Sequence, residues 1–127
     1  AEACEPIGVE IYEQPLPHGR SALMLDIPET LRRRCAADED LIGPADALRL
    51  SHAPQPFGIF NIKLMKCGGV SQALDIARIA QLGGISLMWG CNDESVVSIT
   101  AALHAALACP ATRNLGLGVD LLAGYMA

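Results

Sequence analysis

Residues 57–70 constrain the fold more than any other stretch. Phe57-Gly58-Ile59-Phe60-Asn61-Ile62 is an apolar, β-prone run that reads as a strand buried on both faces. It delivers Lys63, a short loop, and the pair Gly68-Gly69, which lets the backbone turn tightly. Val70, Ala73, Leu74 and Ala77 then follow amphipathic-helix spacing, with Ser71, Asp75 and Arg78 on the other side. Lys63 therefore stands at the carboxyl end of a strand in a strand–loop–helix unit, where α/β folds carry their chemistry. Taken alone, the unit also suits a lysine that only marks where the strand meets water.

A chain of 127 residues is long enough for one domain with a real core. Hydrophobic residues make up 51% but aromatic residues only 4%, so the core must be aliphatic and alanine-rich. That suits parallel strands covered by helices better than a β-sandwich. No apolar run approaches the ~18 residues of a membrane span, and the amino terminus has no signal-peptide pattern. Neither a membrane nor nucleic acid is therefore expected as a partner. The net charge is −5, and Arg32-Arg33-Arg34 is the one basic run. The five cysteines lack CxxC spacing and are odd in number. They read as reduced thiols of a cytoplasmic protein, neither a disulfide framework nor a zinc site.

Along the chain, residues 1–7 read as a helix tail or linker, and Gly8–Tyr12 as a strand stopped by Pro15. Leu16–Arg34 is broken by Pro17, Gly19 and Pro28, and reads as a loop with a short helix near Glu29–Arg33. Cys35–Ala37 is a weak second strand, and Pro44–Leu50 a short helix with proline near its start. The helix after Lys63 stops at Gly83-Gly84. Ile85–Trp89 is a further strand. Val96–Ala108 is a helix apolar nearly all round, expected to be buried between neighbours. Asn114–Val119 is a last strand.

The polar strand ends share a register. Glu13, Asp38, Lys63 and Glu94 each follow an apolar run, at intervals of 25, 25 and 31 residues. A (β/α)8 barrel of about 250 residues averages about 31 per unit. Repeated units with right-handed crossovers would bring these ends to one face. Carboxylates arriving from different strands suit a hard cation such as Mg2+. A lysine beside that cation is disfavoured as ammonium, which helps it act as a base. For each acid taken singly, a solvated loop residue is the alternative.

At these residues the chain resembles the muconate-lactonizing and mandelate racemase-type branch of the enolase superfamily, and within it the dipeptide epimerases of the L-Ala-D/L-Glu type. The matching motifs are Tyr12-Glu13-Gln14-Pro15, Ala37-Asp38-Glu39, Asn61 through Gly69, and Gly90 through Ser95. The resemblance implies an α/β fold, the second half of a (β/α)8 barrel at about strands 4–8, with residues 1–127 as a partial barrel domain. It implies Glu13 and Asp38 as Mg2+ ligands and Lys63 as a general acid/base. Glu94, and with it Asp93 and Lys66, is placed at the rim, touching substrate or supporting groups that do. Lys66, three residues beyond Lys63, is expected to point elsewhere, as a surface or loop charge. His104 reads as packed or solvent-tipped.

Two departures from the family stand out. The capping domain and first barrel strands, which carry a partner lysine in a Lys-x-Lys motif and another metal-ligating aspartate, have no counterpart here. The chain alone is accordingly expected to be inactive, needing a complementing amino-terminal half or acting within a homo-oligomer. The Asp-x-Asp pair that holds a dipeptide's ammonium is matched by Gly116 and Gly118. The implied reaction removes the proton α to a carboxylate, through an enediolate that Mg2+ stabilises. The substrate is a small carboxylate, possibly a dipeptide. Cycloisomerisation, dehydration and N-acylamino acid racemisation start from the same chemistry, and a non-catalytic barrel remnant is the rival from another class.

Overall fold

The computed structural model describes residues 4–109. After a 3-10 turn at Glu5–Ile7, strands β1 (Tyr12–Glu13), β2 (Cys35–Ala37), β3 (Ile59–Ile62) and β4 (Ser86–Trp89) alternate with helices. A 3-10 helix at Ser21–Asp26 and helix α1 (Glu29–Arg32) join β1 to β2, and α2 (Pro44–Ser51) joins β2 to β3. α3 (Leu64–Cys67) and α4 (Val70–Gly83) join β3 to β4, and α5 (Val96–Ala108) follows β4. The sheet order is β1-β2-β3-β4, with every pairing parallel. Consecutive parallel neighbours require crossovers of one hand, which puts all the helices on one face. This is singly wound α/β topology, as in a barrel; a doubly wound sheet reverses its order midway.

The two faces separate by strand alternation. Cys35, Ala37, Phe60, Ile62, Leu87 and Trp89 enter one apolar cluster with Ala47 and Leu50 of α2, Ala73, Ile76, Ala77 and Ala80 of α4, and Ile99 and Ala102 of α5. Ala36 and Ile59 are buried outside that cluster, on the opposite face. The registers Glu13↔Ala36↔Ile59↔Ser86 and Asn61↔Met88 align this second face. Its exits carry Glu13, Asp38, Asn61 and Lys63.

Local chemistry sets the element ends. α2 begins with Pro44 after Gly43, and the Asp46 carboxylate reaches back to accept from the Gly43 and Ile42 N–H groups, each at 3.2 Å. Gly68 (φ 91°) and Gly69 (φ 119°) make the turn between α3 and α4, a conformation that side chains with a Cβ disfavour.

The structure departs from sequence expectation at four elements. The Gly8–Tyr12 strand is paired only at Tyr12–Glu13, because β2 begins at Cys35 and the Val9 and Glu10 carbonyls are taken by the Arg34 guanidinium instead. The segment after Pro17 holds the 3-10 helix at Ser21–Asp26, which buries Met24 completely. The loop expected after Lys63 is the helical turn α3. α5 is not buried all round: it packs on α3 and α4 through one face, leaving Val97 80% and Leu107 64% exposed. The strand expected at Asn114–Val119, with Gly116 and Gly118, lies outside the described residues. None of the five cysteines forms a disulfide within the described residues. No described helix is long and apolar enough to cross a membrane.

Candidate active site

Three adjacent strand exits build one polar cluster. Lys63, extended at the end of β3, places its Nζ 2.8 Å from Asp38 Oδ2 and 3.9 Å from Glu13 Oε1. Asn61, two residues earlier on the same face, donates from Nδ2 to Glu13 Oε1 at 2.7 Å. Lys66 reaches back from α3 and donates to Asp38 Oδ1, to the Asp38 carbonyl at 2.7 Å, and to the Asn61 carbonyl at 3.1 Å. The lysine side chains are only 13% and 14% exposed, so these are desolvated ion pairs rather than solvated surface charges.

The loops after β1 and β2 are tied by Gln14. Its Oε1 accepts from the Asp38 N–H at 3.0 Å and the Asp40 N–H at 3.3 Å, and its Nε2 donates to the Leu16 carbonyl at 2.9 Å. Buried Asp40 accepts from the Gly19 N–H at 2.6 Å and pairs with His18 Nδ1 at 3.0 Å. An open cleft of about 510 Å³ runs along these loops, lined by Glu13, His18, Asp38 and Glu39 among others. A cavity of about 360 Å³ lies at the opposite end of the strands, against Arg32 and Gly58, and contains none of the cluster. In barrels that end belongs to stability rather than chemistry.

The charges perturb one another. Burial raises the Glu13 carboxyl; the Asn61 bond pulls it back, and the Asp38 charge adds to the rise. Burial also acts to raise Asp38, but the bonds from Lys63 and Lys66 outweigh it and hold that carboxyl below its ordinary range. Lys63 loses by burial and gains more from Asp38, so its ammonium is strengthened. Lys66 is more deeply desolvated, and its ammonium is weakened despite Asp38.

The cluster contains two carboxylates; no group of three or more His, Cys, Asp or Glu side chains suited to a metal ion occurs among the described residues. Two observations suit a hard cation nonetheless. Glu13 and Asp38 are oxygen donors from neighbouring strands, close enough that the Asp38 charge helps raise the Glu13 carboxyl. Beside them, fully buried Asn61 leaves Oδ1 without a hydrogen-bond partner among the described residues. Glu13 and Asp38 are thus fit to supply part of a coordination shell.

Not every candidate enters the cluster. Glu94 accepts from the Ser98 hydroxyl and the Asn92 N–H, so these bonds tie it to its own turn and the start of α5. Asp93 is exposed in that turn, in the left-handed region at φ 53°. His104 is exposed on α5. The expectation that Lys66 points away is overturned: one helical turn brings it onto the face of Lys63. Asn61 and Gln14 were missed. Asn61 had a signal, a polar residue in an apolar strand on the face of Lys63; Gln14 had none beyond its motif.

The chain belongs to the enolase C-terminal domain-like family, whose family model matches residues 1–121. Among curated relatives it is 60% identical over 113 residues to the L-Lys-D/L-Arg epimerase of Methylococcus capsulatus, covering 89% of this chain and 32% of that protein. It is 57% identical to the L-Lys-D/L-Arg epimerase of Desulforapulum autotrophicum, with the same coverage. It is 36% identical over 104 residues to the L-Ala-D/L-Glu epimerase of Clostridium acetobutylicum, covering 82% of this chain and 29% of that protein. The crystal structure of a dipeptide epimerase from Methylococcus capsulatus with Mg and the dipeptide L-Arg-D-Lys superposes with a TM-score of 0.85 at 59% identity, covering 88% of this chain and 32% of that one. The chain spans about a third of the length of the relatives it matches.

Proposed function

We propose that this chain supplies the Glu13, Asp38 and Lys63 portion of a Mg2+-dependent epimerase acting on dipeptides with cationic side chains. The observation that carries the reading is the convergence of Lys63 with Asp38 at 2.8 Å and Glu13 at 3.9 Å, at three neighbouring strand exits. The substrate class rests on identities of 60% and 57% to L-Lys-D/L-Arg epimerases.

In this reading Glu13 and Asp38 hold Mg2+. When bound, the ion supplies positive charge to the substrate carboxylate as negative charge develops on it. Lys63 moves the proton at Nζ. Paired with Asp38 its ammonium is strengthened, and it accepts a proton only once that ammonium has given up its own. Lys66 is unsuited to return the proton from the opposite face, since its Nζ is already committed to three acceptors. That second group would come from outside the described residues.

The test uses the full-length protein carrying this chain and a Lys/Arg-containing dipeptide. Deuterium exchange at the α-carbon reads the base, and calorimetric Mg2+ titration reads the ligands. Lys63→Ala is expected to slow exchange by about 10²–10⁴-fold without weakening Mg2+ binding. Asp38→Asn and Glu13→Gln are expected to weaken Mg2+ binding. Wild-type exchange by Lys63→Ala would refute the assignment.

A further inference from the structure

We infer that Lys66 is a positioning residue that sets which oxygen of Asp38 faces the reaction space. This inference rests on the reading above that Glu13 and Asp38 hold Mg2+. The β2–β3 ladder runs through Ala36↔Ile59 and Ala37↔Phe60, and the next facing pair is Asp38 and Asn61. There the ladder ends: the Asp38 carbonyl turns to the Leu41 N–H at 3.0 Å, and both it and the Asn61 carbonyl take a further donor from α3. That donor is the Lys66 ammonium, which reaches the Asp38 carbonyl at 2.7 Å and the Asn61 carbonyl at 3.1 Å. Its third bond goes to Asp38 Oδ1. One nitrogen thus grips both the main chain and the side chain of Asp38, which prevents the carboxylate from rotating about its own bonds. Oδ2 is left facing Lys63 at 2.8 Å, with Glu13 beyond.

The local fold makes this grip rigid. Lys63 is the extended residue before α3, and its carbonyl accepts from the Lys66 and Cys67 N–H groups, each at 3.1 Å. Gly68 and Gly69 both donate to the Leu64 carbonyl at 3.0 Å, closing the turn. Lys63 and Lys66 are therefore presented by one short, hydrogen-bonded unit to the two oxygens of one carboxylate. Lys63 is able to release Oδ2 while the other three bonds stay in place. The same Asn61 whose carbonyl Lys66 holds donates its amide to Glu13, so both carboxylates are braced through a single lysine.

Groups that orient metal ligands in this way typically contribute about 10–100-fold in metal affinity or activity. The experiment is calorimetric Mg2+ titration of the full-length protein as wild type, Lys66→Met, Lys66→Arg and Ile76→Val. Ile76 is buried in α4 away from the cluster and controls for lost packing. Lys66→Met is expected to raise the Mg2+ Kd about 10–100-fold. Lys66→Arg, which keeps charge and donors, is expected to recover part of that loss, and Ile76→Val to bind as wild type. The inference is overturned if Lys66→Met binds Mg2+ within about threefold of wild type or more tightly, or if Arg serves no better than Met. If Lys66→Met does not fold, Lys66→Gln takes its place with the same thresholds. Glu13→Gln and Asp38→Asn separate the two levels. If neither changes the Kd, the Mg2+ reading fails; if both do and Lys66→Met does not, only the role of Lys66 fails.

Discussion

Replacing Gly90 with alanine tests whether the strand exits form a single braced unit. Gly90 follows β4, its N–H donating to the Ile62 carbonyl at 2.9 Å, and lies across from Lys63. An added Cβ would stand 2.8 Å from Asn61 Oδ1 and 3.0 Å from Lys63 Cε. Ordinary contact begins near 3.4 Å, so the Asn61 oxygen must recede by about 0.6 Å. It has little room to do so, because the amide is fully buried and its Nδ2 is committed to Glu13 at 2.7 Å. Lys63 is likewise held by Asp38 at 2.8 Å. The displacement is therefore passed to both carboxylates. Overpacking of this kind costs about 1–3 kcal/mol of stability. A misplacement on the order of 1 Å at a reacting group can cost about 10²-fold in rate, so a shift somewhat smaller predicts a loss of about 10–100-fold in α-proton exchange. Gly58→Ala is the contrasting variant. Its Cβ would lie 2.5 Å from the Arg33 Cα and carbonyl oxygen, a backbone clash at the other end of β3. It is expected to cost about 3 kcal/mol with little change in rate per folded molecule. Calorimetric melting together with deuterium exchange reads both. Exchange by folded Gly90→Ala within about twofold of wild type would refute the argument, since that lies below the smallest loss the misplacement predicts.

Asp46→Ala removes the carboxylate that accepts from Gly43 and Ile42 at the start of α2, and urea unfolding at pH 7 should show a loss of about 1 kcal/mol. Burial acts to raise the Asp46 carboxyl, but its bonds to Gly43, Arg49 and Ile42 hold it below the ordinary 3.8. Its stabilisation is therefore complete above that value and is lost as pH falls through the lower folded one, so wild type and variant should converge in strong acid. Gln14→Ala deprives the Asp38 and Asp40 N–H groups of their acceptor. It should cost about 1–3 kcal/mol, and a melting temperature equal to wild type would show that water replaces the amide.

Much of the architecture was legible because it rests on local rules. The apolar run before Lys63, the glycine pair after it and the alanine-rich spacing beyond define a strand, a turn and a helix without reference to the rest of the chain. The register of Glu13, Asp38 and Lys63 needed only the further rule that parallel units bring strand ends to one face, and these three do meet. Two kinds of feature were not legible. The paired length of β1 depends on how much of β2 lies beside it, and the exposure of α5 depends on which neighbours reach it. The other kind is side-chain direction. Glu94 followed the same strand-end pattern, yet it bonds Ser98 on its own helix, because a carboxylate beside a helix start is stabilised by nearby donors. Lys66 looked like a surface charge because a loop was expected where a helical turn stands. Asn61 signalled its face but not its partner, Glu13, which is 48 residues away. Sequence spacing determined which residues arrive at the site; the tertiary structure decided which oxygen each nitrogen holds, because hydrogen bonds of 2.7–3.1 Å depend on the curvature and closure of three strands at once.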